Sequence, residues 1–195
     1  MKFDLRDVTK IPNLLVVFRF VCTPIFAGFL VYGGLKGNDI LYYIGLAVFA
    51  LASVSDLFDG MIARKYNMCT GLGSVADPLA DKIMHITALY SLALIGYLHP
   101  ALAILIAVKE IIMIVVTTLL KNMGIIVPAN FYGKVPSALL SVGIILSFFH
   151  PYMYLIDHII VIASTVLSYI AFVQYMFIWI KELKDFKQKN QNVAK

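Results

Sequence analysis

The chain has 195 residues, 61% of them hydrophobic and only 14% charged, with a mean hydropathy of +0.88. Those proportions lie outside the soluble globular range and describe one membrane-embedded domain with several spans, with no nucleic-acid partner expected. The formal charge of +5 is small, and where the cations fall says more than their sum.

Residues 1–11, MKFDLRDVTKI, alternate Phe3, Leu5 and Val8 with Lys2, Asp4, Arg6 and Asp7. That pattern predicts a short helix lying in the membrane interface. Thr9 or Asn13 is positioned to cap the next helix, with Pro12 in its first turn. Six transmembrane spans are then expected, over 12–32, 40–66, 73–94, 101–123, 133–149 and 152–180. The first is expected to stop at Gly33-Gly34, and a basic tail over 181–195 closes the chain. The fold class is therefore all-α and integral to the membrane: a single domain whose six-helix bundle covers 12–180. No internal repeat and no cleaved signal segment is read. Cys22 and Cys69 lack metal-like spacing and read as free thiols or packing residues.

Six spans place both termini on one side. Lys2, Arg6, Lys10, Arg64, Lys65, Lys121, Lys134 and the lysines from Lys181 onward all flank loops or termini of that side. The three opposite loops, near 33–39, 95–100 and 150–157, contain only Lys36. The positive-inside rule makes the lysine-rich side cytoplasmic and predicts a multi-pass protein of the cell membrane. The lysine tail suits anionic lipid headgroups.

The stretch 56–81, DLFDGMIARKYNMCTGLGSVADPLAD, stands out. An ionised aspartate near the centre of a membrane helix costs about 2.5–3.5 kcal/mol, so four cost about 10 kcal/mol if additive. Asp56 and Asp59 are three apart, and Asp77 and Asp81 are four apart, so each pair shares a helix face. Arg64 and Lys82 offset only part of the charge. Gly60 and Gly73 leave room beside the carboxylates. An all-carboxylate set suits hard divalent ions such as Mg2+ or Mn2+ and not zinc. Two such ions can bridge a diphosphate, and a further carboxylate can take a proton from an attacking hydroxyl. A site at the cytoplasmic helix ends gives water-soluble substrates an entry path.

Asp56, Asp59, Gly60, Ala63, Arg64, Gly73, Asp77 and Asp81 resemble, position by position, the signature of the CDP-alcohol phosphatidyltransferases. Eight fixed positions across 26 residues make a specific pattern. The resemblance implies that Asp56, Asp59, Asp77 and Asp81 hold two metal ions and that Asp81 is the general base. It places Asp56, Gly60, Ala63, Arg64 and Gly73 around the CDP-lipid. The implied reaction is attack by an alcohol on the lipid-side phosphate of CDP-diacylglycerol with release of CMP, in a homodimeric enzyme.

The opening IPNLLVVFR, with Pro12, Asn13 and Arg19, and the run DPLADK at 77–82 resemble the phosphatidylglycerophosphate synthase branch of that family. Glycerol 3-phosphate is then the expected acceptor, with Lys109, Lys121 and Lys134 as candidate contacts. The branch usually carries arginine where this chain has Lys109 and Thr117, and lysine lacks the two-pronged phosphate grip of arginine. Phosphatidylglycerol, giving cardiolipin, and an inositol-type acceptor stay open, as does an ion-pair role for Lys109 with Glu110. An ion-coupled transporter is the competing class, but the acids gather at one helix end and no repeat is visible. An intramembrane prenyltransferase lacks the Gly60–Ala63–Arg64–Gly73 frame. His85 reads as a packed or supporting histidine. His99, His150 and His158 fall near the outer interface and are assigned no chemistry. Tyr42, Tyr43, Tyr97, Tyr152, Tyr154 and Trp179 read as interfacial belt residues.

Overall fold

The computed structural model describes the backbone of residues 11–65, 73–125 and 134–193. Within those segments the side chains at 11–13, 56–65, 73–78, 121, 134, 185, 187 and 189–193 lie outside the described set. The interfacial helix expected over 1–11 falls outside it too, apart from residue 11, which opens the first helix.

Six helices follow one another: α1 (Ile11–Lys36), α2 (Asp39–Lys65), α3 (Gly73–Leu94), α4 (Pro100–Asn122), α5 (Lys134–Ser147) and α6 (His150–Val193). No strand occurs among the described residues, and the all-α expectation holds. Among those residues, Leu14–Lys36, Pro100–Leu120 and His150–Lys184 are long and apolar enough to cross a membrane. Asp39–Ser55 and Val135–Ser147 are apolar but shorter.

The chain divides into two compact units, Met1–Pro100 and Ala101–Lys195. In the first, α1 packs on α2 and α3. Its buried stripe runs through Val16, Arg19, Thr23, Phe26, Leu30 and Gly33, alternating steps of three and four as a coiled-coil seam does. Phe26 meets Phe49 of α2 edge-to-face, ring centroids 5.3 Å apart. The two helices approach closely at glycines. A Cβ on Gly33 would stand 2.4 Å from the Tyr42 amide nitrogen, and one on Gly45 2.8 Å from that of Leu30. Small residues at such crossings are how membrane helices gain packing when burial from water contributes little.

That geometry explains why α1 runs four residues past the Tyr32 boundary: the Gly33-Gly34 pair receives neighbours instead of breaking the helix. The helix ends at Gly37, whose φ of +63° closes the turn. The Asn38 amide then bonds the Gly33 carbonyl at 2.8 Å. Asn38 Oδ1 accepts from the Leu41 amide at 3.1 Å, capping α2. Gly96, with φ of +85°, ends α3 in the same way. Beside that turn Tyr42, Tyr43 and Tyr97 form an edge-to-face cluster. Burial, with Tyr43 and Asp39 nearby, pushes the Tyr97 phenol above its usual range.

In the second unit α5 packs on α6 around Gly143, whose Cβ would meet Val161 Cγ2 at 2.9 Å. A second cluster joins Leu120 and Ile125 to Trp179, with Phe172, Tyr175, Leu183 and Phe186 packed against it. Trp179 is therefore a buried packing residue, as is Tyr42, not a lipid-facing belt residue. Tyr152 and Tyr154 are exposed, as a belt requires. Helix α6 has 44 residues, with one non-helical position at Met153 (φ −130°, ψ 26°). It continues beyond residue 180 into the segment read as a tail. At about 1.5 Å per residue it is about twice the length that a 30 Å hydrocarbon core needs.

Candidate active site

Asp56, Asp59, Gly60, Ala63 and Arg64 all fall on the C-terminal part of α2, while Gly73 opens α3 and Asp77 lies in its second turn. The signature thus occupies two consecutive helices of the first unit, joined across 66–72. The side chains of these seven residues are outside the described set.

Asp81 is described. It lies on α3 between the buried Ala80 and Met84, with its own side chain 31% exposed, so the carboxylate is reachable. His85 Nε2 stands 3.7 Å from Asp81 Oδ1, and the histidine is itself buried. The pair is thus a reachable carboxylate with a buried imidazole one turn away.

Lys109 and Glu110 are both buried on α4 and form an ion pair. Lys109 Nζ also donates to Ser168 Oγ of α6 at 2.6 Å. Lys121 and Lys134 lie on α4 and α5, their side chains outside the described set. An apolar groove of about 610 Å³ between α4 and α6 is lined by Leu105, Thr165, Val166, Tyr169, Ile170 and Val173. The Tyr169 hydroxyl donates to the Leu105 carbonyl at 2.9 Å, tying α6 to α4.

Two features carry more than the sequence assigned to them. Arg19 is fully buried on the apolar seam of α1, where Thr23 Oγ1 donates back to its carbonyl at 2.8 Å. A cation at a seam position is the signal for it. His150, Asp157 and His158, to which no chemistry was assigned, come together at the start of α6. The backbone between His150 and Asp157 is non-helical at Met153, so regular helix spacing gave no signal for the cluster.

A family model described as CDP-alcohol phosphatidyltransferase matches residues 9–180. The chain is 34% identical over 137 residues to a protein of Mycobacterium tuberculosis named "Probable phosphatidylglycerophosphate synthase", covering 70% of this chain and 65% of that one. It is 30% identical over 154 residues to a Mycoplasma pneumoniae protein named "CDP-diacylglycerol–glycerol-3-phosphate 3-phosphatidyltransferase", covering 72% and 68%. A protein of the same name from Aquifex aeolicus is 29% identical over 185 residues, covering 91% of this chain and 97% of its own. The apolar helices and these likenesses agree on a membrane protein.

Proposed function

The chain belongs to the CDP-alcohol phosphatidyltransferase family, and we propose that it transfers the phosphatidyl group of CDP-diacylglycerol to glycerol 3-phosphate, releasing CMP. The observation that carries this reading is the family match over 9–180, which takes in all of 56–81. The names of the Mycoplasma and Aquifex relatives support the acceptor.

Asp56, Asp59, Asp77 and Asp81 offer oxygen donors only, a set that fits Mg2+ or Mn2+. Bound there, two such ions would supply neutralising charge to the diphosphate. Gly60, Ala63, Arg64 and Gly73 accommodate the CDP group, with Arg64 contributing a fixed positive charge. Asp81 removes the proton of the acceptor hydroxyl as that oxygen bonds to the phosphorus bearing diacylglycerol. The bond from that phosphorus to the CMP oxygen breaks. Lys109, with Lys121 and Lys134, supplies positive charge to the acceptor phosphate. The reachable Asp81 carboxylate is compatible with its role. The apolar groove of the second unit has the chemistry that an acyl chain requires.

The working protein is proposed as a homodimer in the cell membrane, with both termini and the aspartate-bearing helix ends in the cytoplasm. Cysteines placed at Asn38 and Tyr152, in a background without Cys22 and Cys69, should then react with an impermeant reagent outside intact cells. A cysteine at Lys195 should not. Reaction at Lys195 inverts the topology.

Purified full-length protein, labelled CDP-diacylglycerol and Mn2+ should release CMP when glycerol 3-phosphate is added. Release with phosphatidylglycerol or inositol compounds instead reassigns the acceptor. No release with any alcohol overturns the transferase reading.

A further inference from the structure

The first turns of α6 gather three side chains that phosphatidyl transfer leaves unused. One donor atom from each of His150, Asp157 and His158 lies within 4.8 Å of the other two. Asp157 is fully buried, and its carboxylate lies between two imidazoles. His150 Nδ1 is 2.7 Å from Oδ2, and His158 Nδ1 is 3.2 Å from Oδ1. The Tyr154 carbonyl oxygen is 3.0 Å from the same His158 nitrogen, adding a backbone oxygen to the cluster. The Tyr154 ring covers it, with centroids 5.1 Å from His150 and 5.2 Å from His158.

A buried carboxylate needs compensating positive charge. Between Lys134 and Lys181 the chain contains no lysine or arginine, and among the described residues Asp157 meets the two imidazoles and the His158 amide, which donates to Oδ1 at 2.8 Å. Two neutral imidazoles and a carboxylate are a familiar three-ligand set for a divalent transition metal, with a fourth position left for water or a carbonyl. Nitrogen donors separate this set from the all-oxygen aspartates, which favour Mg2+ or Mn2+.

We propose that His150, Asp157 and His158 form a second metal site, for a zinc-class divalent ion. The ligands flank the non-helical Met153. A bound ion therefore fixes the first turn of α6 to the rest of that helix. The site is structural, and it does not depend on the reaction proposed for the aspartates.

The test uses untagged full-length protein in detergent, stripped of metal and titrated with Co2+, whose visible absorption reports four-coordinate binding with nitrogen ligands. One equivalent per chain should develop the bands, and Zn2+ should bleach them. His158→Gln alters the most exposed of the three ligands and is the gentlest variant. It should weaken Co2+ binding by about tenfold or more, and His150→Asn with His158→Gln should abolish the bands. Asp77→Asn should leave the bands intact, which separates this site from the aspartates. Circular dichroism checks that each variant keeps its helices. Absence of bands in the wild type, bands that survive the double substitution in folded protein, or bands lost with Asp77→Asn would each overturn the proposal.

Discussion

His85 Nε2 approaches Asp81 Oδ1 to 3.7 Å from one turn further along α3. That distance is too long for a direct hydrogen bond but short enough for electrostatic influence. The imidazole is buried while the carboxylate is partly exposed, and with Asp81 as the proposed base the histidine is expected to act as a positioning residue. His85→Leu is expected to lower kcat by about 10–100-fold, the range for outer partners of ligating groups. KM for the CDP-lipid should hardly change, and His85→Gln, which retains a polar group, should recover part of the loss. Steady-state kinetics on the three proteins checks this. An unchanged kcat in His85→Leu would reduce His85 to packing.

Asp81 is expected to differ in kind from Asp56. Asp81→Asn keeps the shape and one oxygen acceptor but cannot take a proton, and a positioned base contributes about 10²–10⁴-fold. Turnover should fall by that factor while nucleotide and metal still bind. Asp56→Asn should weaken the metal-dependent binding itself. Calorimetry with CDP-diacylglycerol and Mn2+ decides between them. Equal loss of binding in both variants would make Asp81 another ligand and leave the base unassigned.

What could be read from the chain followed its periodicity. Helix α3 occupies the residues expected: it starts at Gly73, carries Asp77 and Asp81 four apart, and runs through an apolar stretch to a glycine stop at Gly96. One misreading lies where one residue type serves two purposes. Gly33-Gly34 has the composition of a helix stop but provides a close helix crossing. Residues beyond 180 keep the polar character expected of a tail while staying helical, because lysine, glutamate and glutamine are good helix formers. For the proposed site, the aspartates stand out in the chain because charge in an apolar stretch is costly and their spacing is regular. The histidine cluster escaped because its residues fall on an outer loop in the sequence and a non-helical Met153 separates His150 from the other two. Only the folded start of α6 shows Asp157 buried between them.

The Lys109–Glu110 pair predicts a separation of stability from activity. Both side chains are buried, so Lys109→Met removes the cation of a buried ion pair and should cost about 3–5 kcal/mol. Lys109→Met with Glu110→Met removes both charges and should recover most of that stability. If Lys109 also contacts the acceptor phosphate, the double variant will be stable yet retain a raised KM for glycerol 3-phosphate. Thermal midpoints and kinetics on both variants test this. Full recovery of KM in the double variant would confine Lys109 to its ion pair.

Two glycines of the first unit should respond oppositely to the same substitution. Gly45 faces the backbone of α1, and an added Cβ would stand 2.8 Å from Leu30 N and 3.1 Å from both Leu30 Cα and Phe26 O. None of these atoms belongs to a flexible side chain, so the helices themselves must separate. Overpacking of that kind costs about 1–3 kcal/mol, and it loosens the Phe26–Phe49 contact as well. Gly28, on α1, has nothing within 4 Å of its Cβ position. There the higher helix propensity of alanine should stabilise by about 0.8–1 kcal/mol. Gly45→Ala should therefore lower the thermal midpoint and Gly28→Ala should hold or raise it. Helix α2 also carries Asp56, eleven residues beyond Gly45 and about 16 Å along the axis. Gly45→Ala should consequently lose activity even at temperatures where it remains folded, whereas Gly28→Ala should keep wild-type turnover. Equal midpoints for the two variants would show that α1 and α2 do not cross as closely as their glycines allow.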